Sequence, residues 1–131
     1  LPLQLLSKIK LINMEKEFVT YEIAKELKEL GFDEECFGIY GRYLEEFALV
    51  KNAILLCKAE PEVILAPLYQ QVIEWFIAEH SLQIGELPVK KYKEARKYYI
   101  HNMEGESTYT YVIVGLEKAI LKAIEILKER K

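Results

Sequence analysis

The centre of the chain is encoded by Ala66-Pro67-Leu68-Tyr69-Gln70-Gln71-Val72-Ile73-Glu74-Trp75-Phe76. Large apolar side chains recur here at helical spacing, with Val72, Trp75 and Phe76 on one side. Proline is favoured at the first helical position, where an N–H group would have no partner within the helix. The pattern therefore predicts a helix from about Ala66–Pro67 to His80, in which Trp75 and Phe76 supply much of the buried core area.

A second helix is predicted upstream, over residues 20–30. Thr20 is a suitable N-cap residue, and Gly31 followed by Phe32 is typical of a left-handed helix stop with a hydrophobic residue after it. One face of this helix is apolar through Ile23, Ala24, Leu27 and Leu30.

The next segment, Cys36–Tyr40, is short, aromatic and followed by Gly41, so it predicts a strand that pairs with a partner near Phe47–Val50. Residues 44–57 are rich in helix formers, so propensity favours a helix while the hairpin context favours a strand. The sequence leaves both alternatives open, and Pro61 ends whichever element forms.

The second half of the chain predicts a further β-hairpin or meander and a closing helix. Residues 82–87 alternate between apolar and polar or small side chains, and residues 97–103 are prone to form a strand. The closing helix is predicted from apolar spacing, and its start is left open between 111 and 115 because Tyr109, Tyr111 and Ile113 alternate like a strand. The predicted fold class is α+β, with the order helix, β-hairpin, helix, β-hairpin, helix around one small antiparallel sheet.

The 131 residues suffice for one packed domain, and a composition of 51% hydrophobic and 30% charged residues is typical of a globular chain. We expect residues 14–131 to form this single α+β domain, because the well-patterned region opens at Met14. Residues 1–13 are interpreted as an upstream leader outside the natural domain. The alternative is a short amphipathic anchor helix that uses Leu1, Leu5, Ile9 and Ile12.

Three segments together resemble a family of small uncharacterised proteins encoded in phages and prophages of gut bacteria. They are residues 18–32 followed by Cys36, the Ala-Pro-x-x-Gln-Gln-Val-x-x-Trp-Phe motif of residues 66–76, and the closing helix at residues 119–127. The resemblance implies an α+β domain of mobile-element origin and brings no established activity. Leu68 stands where the family commonly has a capping Thr or Ser, so the helix either starts at Pro67 or lacks this cap.

The sequence contains no recognisable catalytic or metal-binding motif. Asp33 is the only aspartate, the six glycines form no phosphate-binding loop, and the three serines lack a nucleophile context. The soft metal ligands are Cys36, Cys57, His80 and His101, without the close spacing of a zinc motif. The two cysteines are interpreted as reduced, mostly buried and cytoplasmic. We therefore expect no cofactor, no metal and no catalytic residue, which makes an enzyme the less favoured class.

One segment stands out by charge. Residues 90–101 carry five cations against one anion in a chain of net charge −3. Lysines could contact phosphates while a tyrosine stacks on a base, as in single-strand binders. The alternative is an edge strand protected by its lysines. The candidate nucleic-acid contacts are Lys90, Lys91, Tyr92, Lys93, Arg96, Lys97 and Tyr99.

The opposite charge pole lies at residues 15–46, which hold ten acidic against four basic side chains and could orient a partner or a dimer. No apolar stretch is long enough to span a bilayer. The sequence therefore predicts a cytoplasmic, non-enzymatic accessory protein that acts through contact with another protein. The alternative is a nucleic-acid-binding module that uses residues 90–101.

Overall fold

The structure, a computed structural model, describes residues 14–41, 46–88, 95–104 and 110–130. The chain folds into two compact units, Leu1–Tyr69 and Gln70–Lys131. The first unit contains α1 (Tyr21–Glu29), β1 (Gly38–Tyr40), β2 (Phe47–Leu49), α2 (Ala53–Ala59) and β3 (Ile64–Ala66). The second contains all but the first residue of α3 (Tyr69–His80), then β4 (Leu82–Glu86), β5 (Lys97–Asn102), β6 (Thr110–Val114) and α4 (Leu116–Glu129).

Helix α1 has the two caps that its sequence predicts. The Ile23 N–H donates to Thr20 Oγ1 at 3.3 Å and satisfies one donor of the first turn. At the other end Gly31 has φ of 92°, and the Phe32 N–H donates to the Leu27 carbonyl at 2.9 Å. This is a Schellman motif, in which a residue without Cβ takes the left-handed conformation at no steric cost.

The first sheet has the antiparallel order β2-β1-β3, which confirms the predicted pairing of residues 36–40 with residues near 47–50. Its central strand β1 is buried throughout. Ile39 joins a core with Cys36, Ala53 and Val63. Tyr40 contacts the rings of Tyr21 and Phe47, and its hydroxyl donates to the Val19 carbonyl at 2.7 Å. Burial raises the pKa of Tyr40 to about 12, so its hydroxyl keeps this donor role across the ordinary pH range.

Both alternatives for residues 44–57 are present in succession. Residues 47–49 form strand β2 and residues 53–59 form helix α2, while Leu44 and Glu45 lie outside the described residues. Helix α2 receives its N-terminal cap from a distant side chain. Glu35 Oε1 accepts from the Ile54 N–H at 3.1 Å, whereas Asn52, in the left-handed region, makes no side-chain cap.

Helix α3 begins later than the predicted Ala66–Pro67 start. Ala66 is the last residue of β3 and pairs with Gly38 of β1. The Pro67 carbonyl accepts from the Val19 N–H at 3.0 Å, and Leu68 forms an isolated bridge with Phe18. These long-range pairings hold residues 66–68 extended, so the helix starts at Tyr69. The prediction that Trp75 and Phe76 are core residues is confirmed, since both are buried.

The second unit contains a β4-β5-β6 antiparallel meander, and α4 packs against β5 and β6. Its buried residues include Val72, Trp75, Phe76, Leu82, Ile84, Ile100, Ala119, Ile120, Ala123 and Ile124. The closing helix starts at Leu116, just beyond the predicted range of 111 to 115, because residues 110–114 pair with β5. The alternation in that stretch is therefore a strand pattern.

The α+β class is confirmed, but the predicted order and the single sheet are not. The described residues hold two three-stranded antiparallel sheets, and α2 with β3 stands between the two predicted hairpins. The single domain over 14–131 stays a prediction, since two compact units can belong to one domain. Residues 1–13, with the predicted leader or anchor, lie outside the described residues. None of the helices described has the length and apolar character that crossing a bilayer requires.

Candidate functional site

The basic segment predicted from the sequence is described only in part. Lys90, Lys91, Tyr92 and Lys93 lie outside the described residues. Lys97 and Tyr99 lie on β5, where they alternate with the buried Tyr98 and Ile100. Because successive side chains of a strand point to opposite faces, Lys97 and Tyr99 share the face turned away from the core.

Strand register extends this face across the whole second sheet. Tyr99 pairs with Gly85 on one side and Val112 on the other, and His101 pairs with Gln83 and Thr110. Residues paired in register lie on the same face of an antiparallel sheet. We call this surface the open sheet face; it consists of Gln83, Gly85, Lys97, Tyr99, His101, Thr110, Val112 and Val114.

The centre of the open sheet face is a tyrosine ring lying over a glycine. A Cβ atom placed on Gly85 would lie 2.4 Å from Cε1, Cζ and the hydroxyl oxygen of Tyr99. The Tyr99 ring therefore fills the space that a side chain at position 85 would need. This arrangement covers a glycine in a strand with an aromatic neighbour and holds the ring against the sheet.

The exposed valines of the open sheet face lie on β6. Val112 is 60% exposed and Val114 is 49% exposed, although both are β-branched residues in a regular strand. Within the described residues β6 pairs with β5 alone, so it forms one edge of the sheet. Adjacent apolar side chains on an edge strand are a typical contact surface for another polypeptide.

None of the eight described residues that form the open sheet face carries a carboxylate, although the chain has 21 acidic residues. Lys97 supplies a positive charge, and a ring nitrogen of His101 lies 3.1 Å from Thr110 Oγ1. Arg96, next to Lys97, forms an ion pair with Glu86 at 3.2 Å. Both of these side chains are well exposed, so the pair is weak and leaves Arg96 able to exchange partners.

Sequence reasoning missed Val112 and Val114 as part of a surface. The alternation of Tyr111 and Ile113 was visible, but Val112 was assigned to the apolar stripe of the closing helix, and that assignment was wrong because residues 110–114 form a strand. In the structure Tyr111 and Ile113 are half-buried, and the intervening valines are exposed. A strand interpretation of residues 110–114 would have found them.

A concave feature lies within the first unit. It is a cavity of about 280 Å³ between α1, α2 and β3. Its walls are mostly apolar and include Ala24, Leu27, Phe32, Ile54, Cys57, Val63 and Leu65. Lys28, Lys58 and Asp33 are its charged lining residues among those described.

The two cysteines are thiols, and neither has the setting of a nucleophile. Burial raises the pKa of Cys36 to about 11, and its Sγ donates to the Gly38 carbonyl at 3.4 Å. Burial also raises the pKa of Cys57. A reactive cysteine needs a lowered pKa, so these environments favour inert thiols. Among the described residues, no three His, Cys, Asp or Glu side chains come together as a metal site would require.

His80, at the end of α3, carries a buried nitrogen with consequences for stability. Its ring packs edge-on against Trp75 with centroids 4.6 Å apart. Its Nε2 has no hydrogen-bond partner among the described residues. Burial lowers the pKa of His80 below its ordinary 6.5, and the positive charge of Arg130 adds to this, while Glu79 and Glu104 oppose it.

We expect the free energy of unfolding to fall as the pH drops below about 6.5, because the unfolded chain then binds a proton that folded His80 resists. Urea denaturation at about pH 7.5 and about pH 5.5 measures the loss. His80→Phe keeps a ring beside Trp75 and cannot titrate, so this variant should lose less stability over the same interval. The variant keeps every carboxylate of the unmodified protein, so the contribution of the carboxylates to the pH dependence is common to both. An identical loss in both proteins would exclude His80 as the source.

No protein-family model, no curated protein and no solved structure matches this chain. The described residues form an α+β fold whose second unit presents the open sheet face and whose first unit contains a mostly apolar cavity.

Proposed function

We propose that this protein is a non-enzymatic binding module that holds a protein partner against the open sheet face. The observation that carries the proposal is the exposure of Val112 and Val114 on an edge strand. Covering these side chains would remove apolar area from water, which is the main favourable term in protein association. The partner is expected to contribute an apolar contact of its own there.

Charge supports an acidic partner. Lys97 gives the open sheet face a positive charge, and none of the eight described residues of this face carries a carboxylate. In the sequence, Lys90, Lys91 and Lys93 precede β5 by a few residues. Complementary charge speeds encounter and selects orientation, while apolar contact supplies most of the affinity.

The experiment replaces both exposed valines in the double variant Val112→Thr/Val114→Thr. Threonine keeps the β-branch and the strand propensity, so we expect the free energy of unfolding to change by less than about 0.5 kcal/mol for each substitution. Partners captured by the unmodified protein should be lost from the double variant, because the apolar contact is gone. Capture from host cells, followed by titration of the purified partner against each variant, gives the readout.

The matched control is Ile77→Ala, which removes a side chain of similar exposure from helix α3 in the same unit. This variant should retain the partner. If the double variant binds the purified partner as tightly as the control does, the open sheet face is not the binding surface.

A second candidate function is nucleic-acid binding, and the shared face of Lys97 and Tyr99 favours it. A flat aromatic ring beside a cation suits stacking on an unpaired base. Such binding should weaken steeply as salt rises. Loss of a single-strand gel shift on replacing Lys91, Lys93 and Lys97 would favour this candidate, whereas no shift at low salt would remove it.

The proposal includes a mobile-element origin and a cytoplasmic location for the protein. The resemblance of residues 18–127 to phage-encoded proteins supports a mobile-element accessory protein, and two free cysteines support a reducing, cytoplasmic setting. A mobile-element accessory protein would act by occupying a host protein, and the captured partner identifies which one. Self-association through the same face is a further outcome of that capture.

A further inference from the structure

The cavity of the first unit is built by two helices that present equivalent faces. Helix α1 contributes Ala24, Leu27 and Lys28, and helix α2 contributes Ile54, Cys57 and Lys58. Both sets have the spacing i, i+3, i+4, which places the three side chains of each set on one side of their helix. Each face therefore carries two apolar or weakly polar side chains followed by a lysine.

The lining includes one lysine from each helix. Lys28 Nζ donates to the Pro61 carbonyl at 2.7 Å, which fixes its ammonium at the turn after α2. Lys58 lies in the last turn of α2, immediately before that turn. One hydrogen bond leaves Lys28 with two more donors, and Lys58 forms no ion pair with another described residue.

The remaining lining residues are mostly apolar. Phe32, Val63 and Leu65 line the cavity together with the helix side chains, and Phe32 and Val63 are buried parts of the core. Asp33 is the one carboxylate among the described lining residues, so the lining carries two cations and one anion. A volume of about 280 Å³ has room for about nine or ten non-hydrogen atoms, at about 30 Å³ for each water-sized group.

We propose that this cavity binds a small monocarboxylic acid with an apolar tail, the carboxylate at Lys28 and Lys58 and the tail between α1, α2 and β3. Octanoate, with ten non-hydrogen atoms, matches the size and is the probe. A tail of this kind gains from leaving water, and a carboxylate gains a charge-assisted hydrogen bond from each ammonium. The proposal is independent of the open sheet face, because it concerns the first unit alone.

Two measurements on the full chain test the proposal. Calorimetric titration should show octanoate binding at least tenfold more tightly than octanol or octylammonium, since only the carboxylate complements the lysines. Octanoate should also slow alkylation of Cys57, whose side chain lines the cavity. The alkylated peptide, read by mass spectrometry, separates Cys57 from the more deeply buried Cys36.

Lys58→Met is the decisive variant, because it removes a cation and leaves the Lys28 bond to Pro61 in place. We expect octanoate affinity to fall at least fivefold and octanol affinity to stay unchanged. Lys25→Met is the matched control, since Lys25 lies near the Tyr21 ring rather than in the cavity lining. Equal binding of the acid, the alcohol and the amine, or no protection of Cys57, would overturn the proposal while leaving the proposed function untouched.

Discussion

Replacing Phe76 with alanine is expected to lower the free energy of unfolding by about 3–5 kcal/mol, the range for removing a fully buried aromatic side chain. Phe76 has no exposed surface, and its ring lies 5.5 Å from that of Trp75, centroid to centroid. Alanine would lose the buried apolar area and leave a cavity that the surrounding residues fill only in part. Denaturation in urea, followed by far-UV circular dichroism, measures the change.

The neighbouring residue provides the control for this prediction. Ile77 is 41% exposed on the same helix, so Ile77→Ala should cost at most about 1 kcal/mol. A large loss restricted to Phe76→Ala would identify the Trp-Phe pair as part of the core. Similar losses for the two variants would mean that position 76 is no better packed than a surface position.

The second large effect is expected at Gly38, the first residue of the central strand of the first sheet. A Cβ at this position would lie 2.6 Å from the Ala66 carbonyl oxygen and within 2.9 Å of the rings of Phe47 and Phe18. The carbonyl belongs to β3, the strand that pairs with β1 through this residue. Alanine would therefore push two paired strands apart.

We expect Gly38→Ala to lower the free energy of unfolding by about 3 kcal/mol, at the upper end of the cost of overpacking, because backbone has to move. Gly41→Ala is the matched control. Among the described residues its added Cβ would meet only the Glu46 carbonyl, at an ordinary 3.6 Å, so its effect should stay below about 1 kcal/mol. Equilibrium denaturation of the three proteins under the same conditions gives the comparison, and a Gly38→Ala protein as stable as Gly41→Ala would show that the strands accommodate the methyl group.

Structural features that depend on residues close together in the sequence were well predicted. Thr20, Gly31 and Phe32 form the caps of α1 in the predicted way, because each cap bond joins residues three to five positions apart. The pairing of β1 with β2 was also predictable, since the two strands are close in sequence and bounded by turn residues.

Interactions between distant segments account for the differences between the predicted and the observed starts of helices. Glu35 starts helix α2 from nineteen positions upstream, and the Val19 to Pro67 hydrogen bond delays the start of α3. Neither bond has a local sequence signature, since it depends on which segments the fold brings together. The same reason explains why the cavity lysines, thirty positions apart on two helices, were not recognised as a pair.

Only part of the open sheet face was predicted from the sequence. Lys97 and Tyr99 were named from charge and aromatic content, and their common face follows from the period of a strand. Val112, Val114 and Gly85 join them only through strand register, which is set by pairing across the sheet.

The sequence by itself determined the α+β class, the caps of α1, the buried Trp-Phe pair and the basic character near β5, because each of these depends on residue type and short-range periodicity. The tertiary structure decided that there are two sheets in the described residues, where α2 and α3 begin, and which side chains share the open sheet face and the cavity. Those features depend on contacts between residues far apart in the chain, and local periodicity carries no information on which distant segments will pair.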